Sequence, residues 1–297
     1  MMDYALFLGC IIPYRLPQLE AAARKTLQKF DVNLHEMQGA GCCSDPAATP
    51  ALDYKTALAV AANNICIAEE MELDILNLCN GCFHSLKLSN ETLKNKPRLK
   101  KQVNEILAHV GKEFKGTINI RHLLEVMHKD IGLERIKDEI KTPFKDLKVS
   151  VHYGCHVLRP SNVLNVDDPL RPESLDRLVK LTGAESVKYM RKMNCCNYCI
   201  RVVDKDISLK LSAEKMKQIK QAEADCIVLL CPGCFMQYDL TQKEIIRLLE
   251  EEMFSIPVLS YSQLLGLAMD IPAEELGLQF HRVKLKKLFE KPALFAQ

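Results

Sequence analysis

Ten of the thirteen cysteines in this 297-residue chain fall into two ordered copies of one pattern, and no other feature constrains the fold as strongly. The first copy is Cys10, then the adjacent pair Cys42-Cys43, then Cys79-x-x-Cys82. The second is Cys155, then Cys195-Cys196, then Cys231-x-x-Cys234. The single cysteine and the pair are separated by 31 and 39 residues, and the pair and the C-x-x-C by 35 and 34. Neighbouring residues repeat too: Leu8-Gly9-Cys10 matches Tyr153-Gly154-Cys155, and Cys79-Asn80-Gly81-Cys82-Phe83 matches Cys231-Pro232-Gly233-Cys234-Phe235. Repetition of order, spacing and context together indicates an internal duplication.

The repeated motifs sit on equivalent predicted elements. Tyr4 to Leu8 and Val149 to Tyr153 are short apolar runs rich in strand formers, each ending at Gly-Cys. Ile75 to Leu78 and Ile227 to Leu230 form a second pair of buried strands, each running into its C-x-x-C. Helices are expected over Leu16 to Phe30, Ala51 to Leu73, Pro172 to Thr182 and Asp204 to Ala222. Strands alternating with helices of this length predict an α/β fold of two pseudo-symmetric domains, each a mostly parallel sheet flanked by helices. Sites in such sheets gather beyond the carboxyl ends of the strands, where both Gly-Cys and C-x-x-C begin. The charged, cysteine-free stretch 94–141 reads as a helical insertion in the first domain. The boundary is placed near residues 144–148, giving domains 1–146 and 147–297, the second closing with a helical arm.

Sulfur-only ligand sets select zinc, copper(I) or iron-sulfur clusters over hard cations. A lone C-x-x-C fits a zinc ribbon or a redox dithiol, but five cysteines exceed the four ligands that close a structural zinc site. A polynuclear cluster could use all five, and adjacent cysteines reach two metal atoms more easily than they chelate one. Cys66, Cys199 and Cys226 have no counterparts in the other repeat and read as small buried apolar side chains. Forty Lys and Arg against 38 Asp and Glu leave a net charge of +2, too little to mark a nucleic-acid binder. No run approaches the roughly 20 apolar residues of a membrane span, and residues 1–10 lack a basic leader, so a cytoplasmic location is expected.

These motifs closely resemble the duplicated cysteine-rich CCG-domain family typified by the B subunit of the coenzyme B–coenzyme M heterodisulfide reductase of methanogenic archaea, over nearly the whole chain. The resemblance implies two noncubane four-iron four-sulfur clusters, one on Cys10, Cys42, Cys43, Cys79 and Cys82, the other on Cys155, Cys195, Cys196, Cys231 and Cys234. It implies that the heterodisulfide is cleaved between them, in a soluble, methanogenic and electron-bifurcating assembly. The chain carries no ferredoxin-type cysteine run and no strand followed by G-x-G-x-x-G. Electrons are therefore expected from partners: a ferredoxin-like subunit and a flavin-containing subunit of the same complex, with a hydrogenase or formate dehydrogenase upstream. CCG domains also serve as electron-transfer subunits of hydroxyacid oxidases and quinone-linked complexes, and a zinc-binding scaffold is a third reading.

Anionic ends of the two coenzymes call for cations near the clusters, and Arg15, Arg159 and Arg201 follow cysteines closely. His152 and His156 bracket Cys155 and are candidates for proton delivery; a histidine beside a cluster cysteine can instead hydrogen bond to its sulfur. His35, His84, His109, His122 and His128 lack matched partners in the other repeat. The basic, partly apolar segment Gln279 to Gln297 could be a docking arm or a solvated terminal helix.

Overall fold

The computed structural model describes residues 2–249, 255–285 and Leu288. It contains two four-stranded sheets, both wholly parallel. The first has the order β2 (Val32–Glu36), β1 (Met2–Phe7), β3 (Ile75–Asn77), β4 (Ile120–His122). The second has the order β6 (Glu185–Ser186), β5 (Lys148–His152), β7 (Cys226–Leu229), β8 (Val258–Ser260). The two orders are the same when each repeat is numbered from its own first strand, so the duplication seen in the cysteines extends to topology.

The central strands explain where the cysteines go. Residues Tyr4–Phe7 of β1 and all of β3 are buried, as are Val149–His152 of β5 and all of β7. Strands covered on both faces suit continuous apolar runs and parallel pairing. Phe7 lies opposite Asn77, and His152 opposite Leu229. The Gly-Cys turn and the C-x-x-C loop of each repeat therefore leave the sheet side by side at its carboxyl edge.

The predicted helices form as Pro17–Gln28, Tyr54–Glu70, Ser174–Leu181 and Lys205–Gln221. Tyr54–Glu70 and Lys205–Gln221 follow corresponding cysteine pairs and begin alike. Asp53 accepts hydrogen bonds from the backbone N–H of Lys55 and Thr56, and Asp204 from that of Ile207. The repeats pack into one body, with Pro17–Gln28 of the first against Tyr261–Ala268 of the second. One hydrophobic core includes Leu76 and Val151, and a smaller cluster of Leu209, Met216, Phe235 and Tyr238 backs the second cysteine set.

Two expectations need correction. The stretch 94–141 is not simply a helical insertion, because it contributes β4, the edge strand of the first sheet. Three residues running straight into a helix at Leu123 carry too little periodicity to reveal a strand. The segment from Gln279 is not a projecting arm where it is described. Val283, Leu285 and Leu288 are buried, and Arg282 and Val283 donate backbone N–H bonds of 2.8 and 3.0 Å to Asp239. Residues 286–287 and 289–297 of that predicted arm lie outside the described residues. No helix among the described residues is long and apolar enough to cross a membrane.

Candidate metal centre

Each repeat builds its part of the site from two loops at the sheet edge and one cysteine pair folded over them. Gly9 and Gly154 turn the chain with φ of +64° and +78°, a region costly for other residues. Space is the second reason for glycine. A Cβ on Gly9 would lie 2.6 Å from Cys82 Sγ, and one on Gly154 would lie 2.6 Å from Asn80 Nδ2. The C-x-x-C loops start helical turns, with Phe83 N–H donating to Cys79 O and Phe235 N–H to Cys231 O, each at 2.9 Å.

The predicted cysteines come together as two groups that touch. In the first, thiol contacts run from Cys42 to Cys43, from Cys43 to Cys82 and from Cys82 to Cys79. Cys10 lines the same cavity of about 120 Å³ as the other four. In the second, Cys155 Sγ lies 3.8 Å from Cys195 Sγ, Cys195 contacts Cys196, Cys196 contacts Cys234, and Cys234 contacts Cys231. The Cys79 and Cys231 thiols lie close enough to act on each other's acidity, and both line the cavity, so the two C-x-x-C loops bring the sets together.

These contacts split the acidities of neighbouring thiols. The Cys42 hydrogen bond pulls the Cys43 thiol down while Cys42 itself is pushed up, and the Cys155 bond pulls Cys195 down while Cys155 is pushed up. In each set a thiol that loses its proton would stand against neighbouring sulfurs that resist a second negative charge, because like charges disfavour one another. A bound cationic centre removes that repulsion, and an all-sulfur donor set of this size fits an iron-sulfur cluster. His152 Nε2, Cys196 Sγ and Cys234 Sγ lie within 4.8 Å of one another and could hold a single metal ion, yet both cysteines belong to the larger set.

The remaining site candidates separate. His156 lines the cavity, where its ring centroid is 4.8 Å from that of His84. Burial, and then the charge of His156, push the His84 imidazole down to about 4. His152 is fully buried, with Nε2 at 3.3 Å from Cys234 Sγ and Nδ1 at 2.8 Å from Lys215 Nζ. Arg201 pairs with Glu244 at 3.2 Å, and Arg159 donates to Pro169 O at 2.9 Å. Arg15 is exposed at the end of the short helix Ile11–Arg15 that follows Cys10. Both Arg15 and Arg201 act electrostatically on Tyr198, which lines the cavity.

Sequence reasoning missed several of these residues. Cys66 and Cys226 are buried as expected, but Cys199 is exposed on the cavity wall, carried there by a short turn after the second cysteine pair. His84 had no matched partner in the other repeat; its partner is His156. Asn80, 1% exposed, donates to Tyr153 O at 2.6 Å and so ties the first C-x-x-C loop to the end of β5. Lys215 sits in a run of lysines that looks like a solvated face. Its only sequence signal is its place eleven residues after Asp204, matching Asn64 after Asp53.

Comparison with known proteins agrees with this arrangement. The model of the cysteine-rich domain CCG matches residues 4–87 and again 149–239. The chain is 42% identical over 296 residues to the B subunit of the ferredoxin:CoB-CoM heterodisulfide reductase of Methanosarcina mazei, covering 98% of both. It is 31% identical to the 8-methylmenaquinol:fumarate reductase membrane anchor subunit of Wolinella succinogenes, covering 96% of this chain and 99% of that one. A hypothetical protein from Helicobacter pylori of solved structure shares the fold with a TM-score of 0.76 at 16% identity; the match covers 95% of this chain and 52% of that one. Two complete cysteine sets on two copies of one sheet, matched twice by one domain model, make this chain a member of the CCG cysteine-rich domain family, similar throughout its length to the B subunits of heterodisulfide reductases.

Proposed function

We propose that the chain is the disulfide-reducing subunit of a cytoplasmic heterodisulfide reductase complex, converting the coenzyme M–coenzyme B heterodisulfide into two thiols. The observation that carries this reading is the contact of two complete five-cysteine sets through Cys79 and Cys231. Cys10, Cys42, Cys43, Cys79 and Cys82 would hold one noncubane four-iron four-sulfur cluster, and Cys155, Cys195, Cys196, Cys231 and Cys234 the other. Bound there, the clusters would supply single electrons and thiophilic iron for cleavage of a sulfur-sulfur bond.

Reduction of the disulfide consumes two electrons and two protons, one proton for each thiol released. His156, which lines the cavity, would deliver a proton. The cavity wall is largely cysteine, proline and aliphatic carbon, and it opens to solvent at the exposed Cys10 and Cys42, where a substrate would enter. Arg15 and Arg201, which act electrostatically on Tyr198, would supply positive charge for the sulfonate, phosphate or carboxylate ends of the coenzymes, with Arg159 on the separate turn that follows β5 and Cys155. Electrons would come from a ferredoxin-like subunit and a flavin-containing subunit, with a hydrogenase or formate dehydrogenase behind them. The name of the Methanosarcina mazei relative, part of a ferredoxin-dependent enzyme, supports that direction of flow.

Anaerobic purification followed by iron and acid-labile sulfide analysis should give about eight irons per chain for two four-iron clusters. Adding the heterodisulfide should change the cluster spectrum. Zinc without iron would overturn the reading. A second reading, an electron relay to or from a quinone, is favoured by the likeness to the Wolinella succinogenes protein. Under it the heterodisulfide leaves the spectrum unchanged, whereas a menaquinone analogue oxidises the reduced protein.

A further inference from the structure

Both repeats must hold the loop that carries their cysteine pair, and they use the same helix position to do it. In the first, Asn64 accepts from Gly41 N–H at 2.9 Å and donates to Cys42 O at 2.9 Å. In the second, Lys215 Nζ donates to Lys192 O at 2.9 Å and to Asn194 O at 2.7 Å. A neutral amide is therefore sufficient for the task. Yet the second repeat buries a lysine completely, over the ring of Tyr189 at 5.8 Å. Its hydrogen-bond acceptors are two carbonyls and His152 Nδ1, none of them anionic. Burying a cation without a countercharge is costly, so the charge needs a partner elsewhere.

That partner is the second cysteine set. Burial pushes the Lys215 ammonium down to about 8, opposed by the nearby sulfurs of Cys234, Cys196, Cys195 and Cys155. Three acceptors around Nζ call for the three hydrogens of an ammonium. His152 Nδ1 is then an acceptor, so Nε2 carries the hydrogen and donates it to Cys234 Sγ at 3.3 Å. At the same place, the last residue of the first strand, the first repeat has Phe7.

We infer that Lys215 and His152 are positioning residues that place a fixed positive charge and an N–H donor on the second centre, setting its reduction potential above that of the first. Reduction adds negative charge, which a buried cation and a hydrogen bond to sulfur both favour. The unequal pair would draw the electron toward the second repeat. The inference rests on the proposal that both sets bind clusters.

Two variants of the full chain convert the second repeat to the residue types of the first: Lys215→Gln and His152→Phe. Iron and sulfide content is read first, then midpoint potentials by spectroscopic redox titration, with signals assigned through Cys10→Ser and Cys155→Ser. Absence of iron from the unsubstituted chain would remove the cluster proposal itself. With iron retained, Lys215→Gln should lower the second centre's midpoint by at least 59 mV, a tenfold change in a one-electron equilibrium, and leave the first unmoved. His152→Phe should move the same midpoint the same way. If Lys215→Gln loses the second centre's iron, His152→Phe decides alone. An unchanged second midpoint, or equal shifts in both centres, overturns the inference.

Discussion

The two halves share a strand order and a cysteine order but differ in how closed their sites are. All five cysteines of the first set line the cavity, and Cys10 and Cys42 are exposed. Of the second set only Cys231 reaches that cavity, while Cys155 and Cys195 are half-buried and Cys196 and Cys234 are buried. Within its apolar cluster the second set also meets polar groups: His152, which Lys215 orients, and Ser212, whose hydroxyl donates to Cys196 O at 3.0 Å. Duplication preserved the scaffold that brings the sulfurs together. Substitution then made one copy the open side and the other the embedded side.

The sharpest way to separate the copies is through their turn glycines. Gly9→Ala places a methyl against Cys82 Sγ, a member of the cysteine set, in a left-handed conformation. It should lose the first centre, with iron per chain falling to about half and the second centre's signal intact. Gly154→Ala strikes the Asn80 side chain instead, 2.6 Å away. It should retain iron and lose about 1–3 kcal/mol of stability from backbone strain. Loss of the same amount of iron in both variants would show that the copies respond alike.

Acid should act on both copies through histidines that reach them by different routes. His122, at the end of β4, packs edge-on to Phe83 at 5.2 Å; His281 packs likewise against Phe235 at 5.1 Å. Burial pushes His122 down to about 3 and His281 down to about 4, from an ordinary 6.5. The unfolded chain therefore binds more protons between those values and 6.5. Stability from each histidine is complete above pH 6.5 and is lost as pH falls toward 4 and 3. By pH 5 each should cost on the order of 2 kcal/mol. Denaturant midpoints from pH 7.5 to 5 measure it. His122→Asn, which can keep the cap on Leu124 N–H, should flatten the profile as much as His281→Asn does; a slope unchanged in either variant would remove that histidine from the explanation.

What was legible in the sequence is what duplication wrote twice. The four central strands, the paired helices and all ten site cysteines were marked by repetition of order and spacing. The edge strands β4, β6 and β8 were not, since each has only two or three residues and takes its conformation from its neighbour in the sheet. The residues that differentiate the copies carry no such mark, because repetition identifies only what matches. Lys215 is one of several lysines along its helix, and the contact of Cys79 with Cys231 depends on how the two sheets pack. His152 is marked in the sequence by its place near Cys155, but the partner that orients it lies 63 residues away.

The smallest expected effect concerns the link between the copies. The second residue of the first C-x-x-C is Asn80, which crosses to Tyr153 O; its counterpart, Pro232, has no backbone N–H and no polar side chain. The tie therefore runs one way, from the first loop to the strand end that precedes Gly154 and Cys155. Asn80→Ala leaves that buried carbonyl without the amide donor and should lower stability by about 1–3 kcal/mol, read as a fall in denaturant midpoint. Pro232→Ala, which removes only a residue well suited to the first helical turn, should change stability by less than about 1 kcal/mol. If the proline change costs as much as the asparagine change, the loops are coupled symmetrically through Cys79 and Cys231, and Asn80 adds nothing specific.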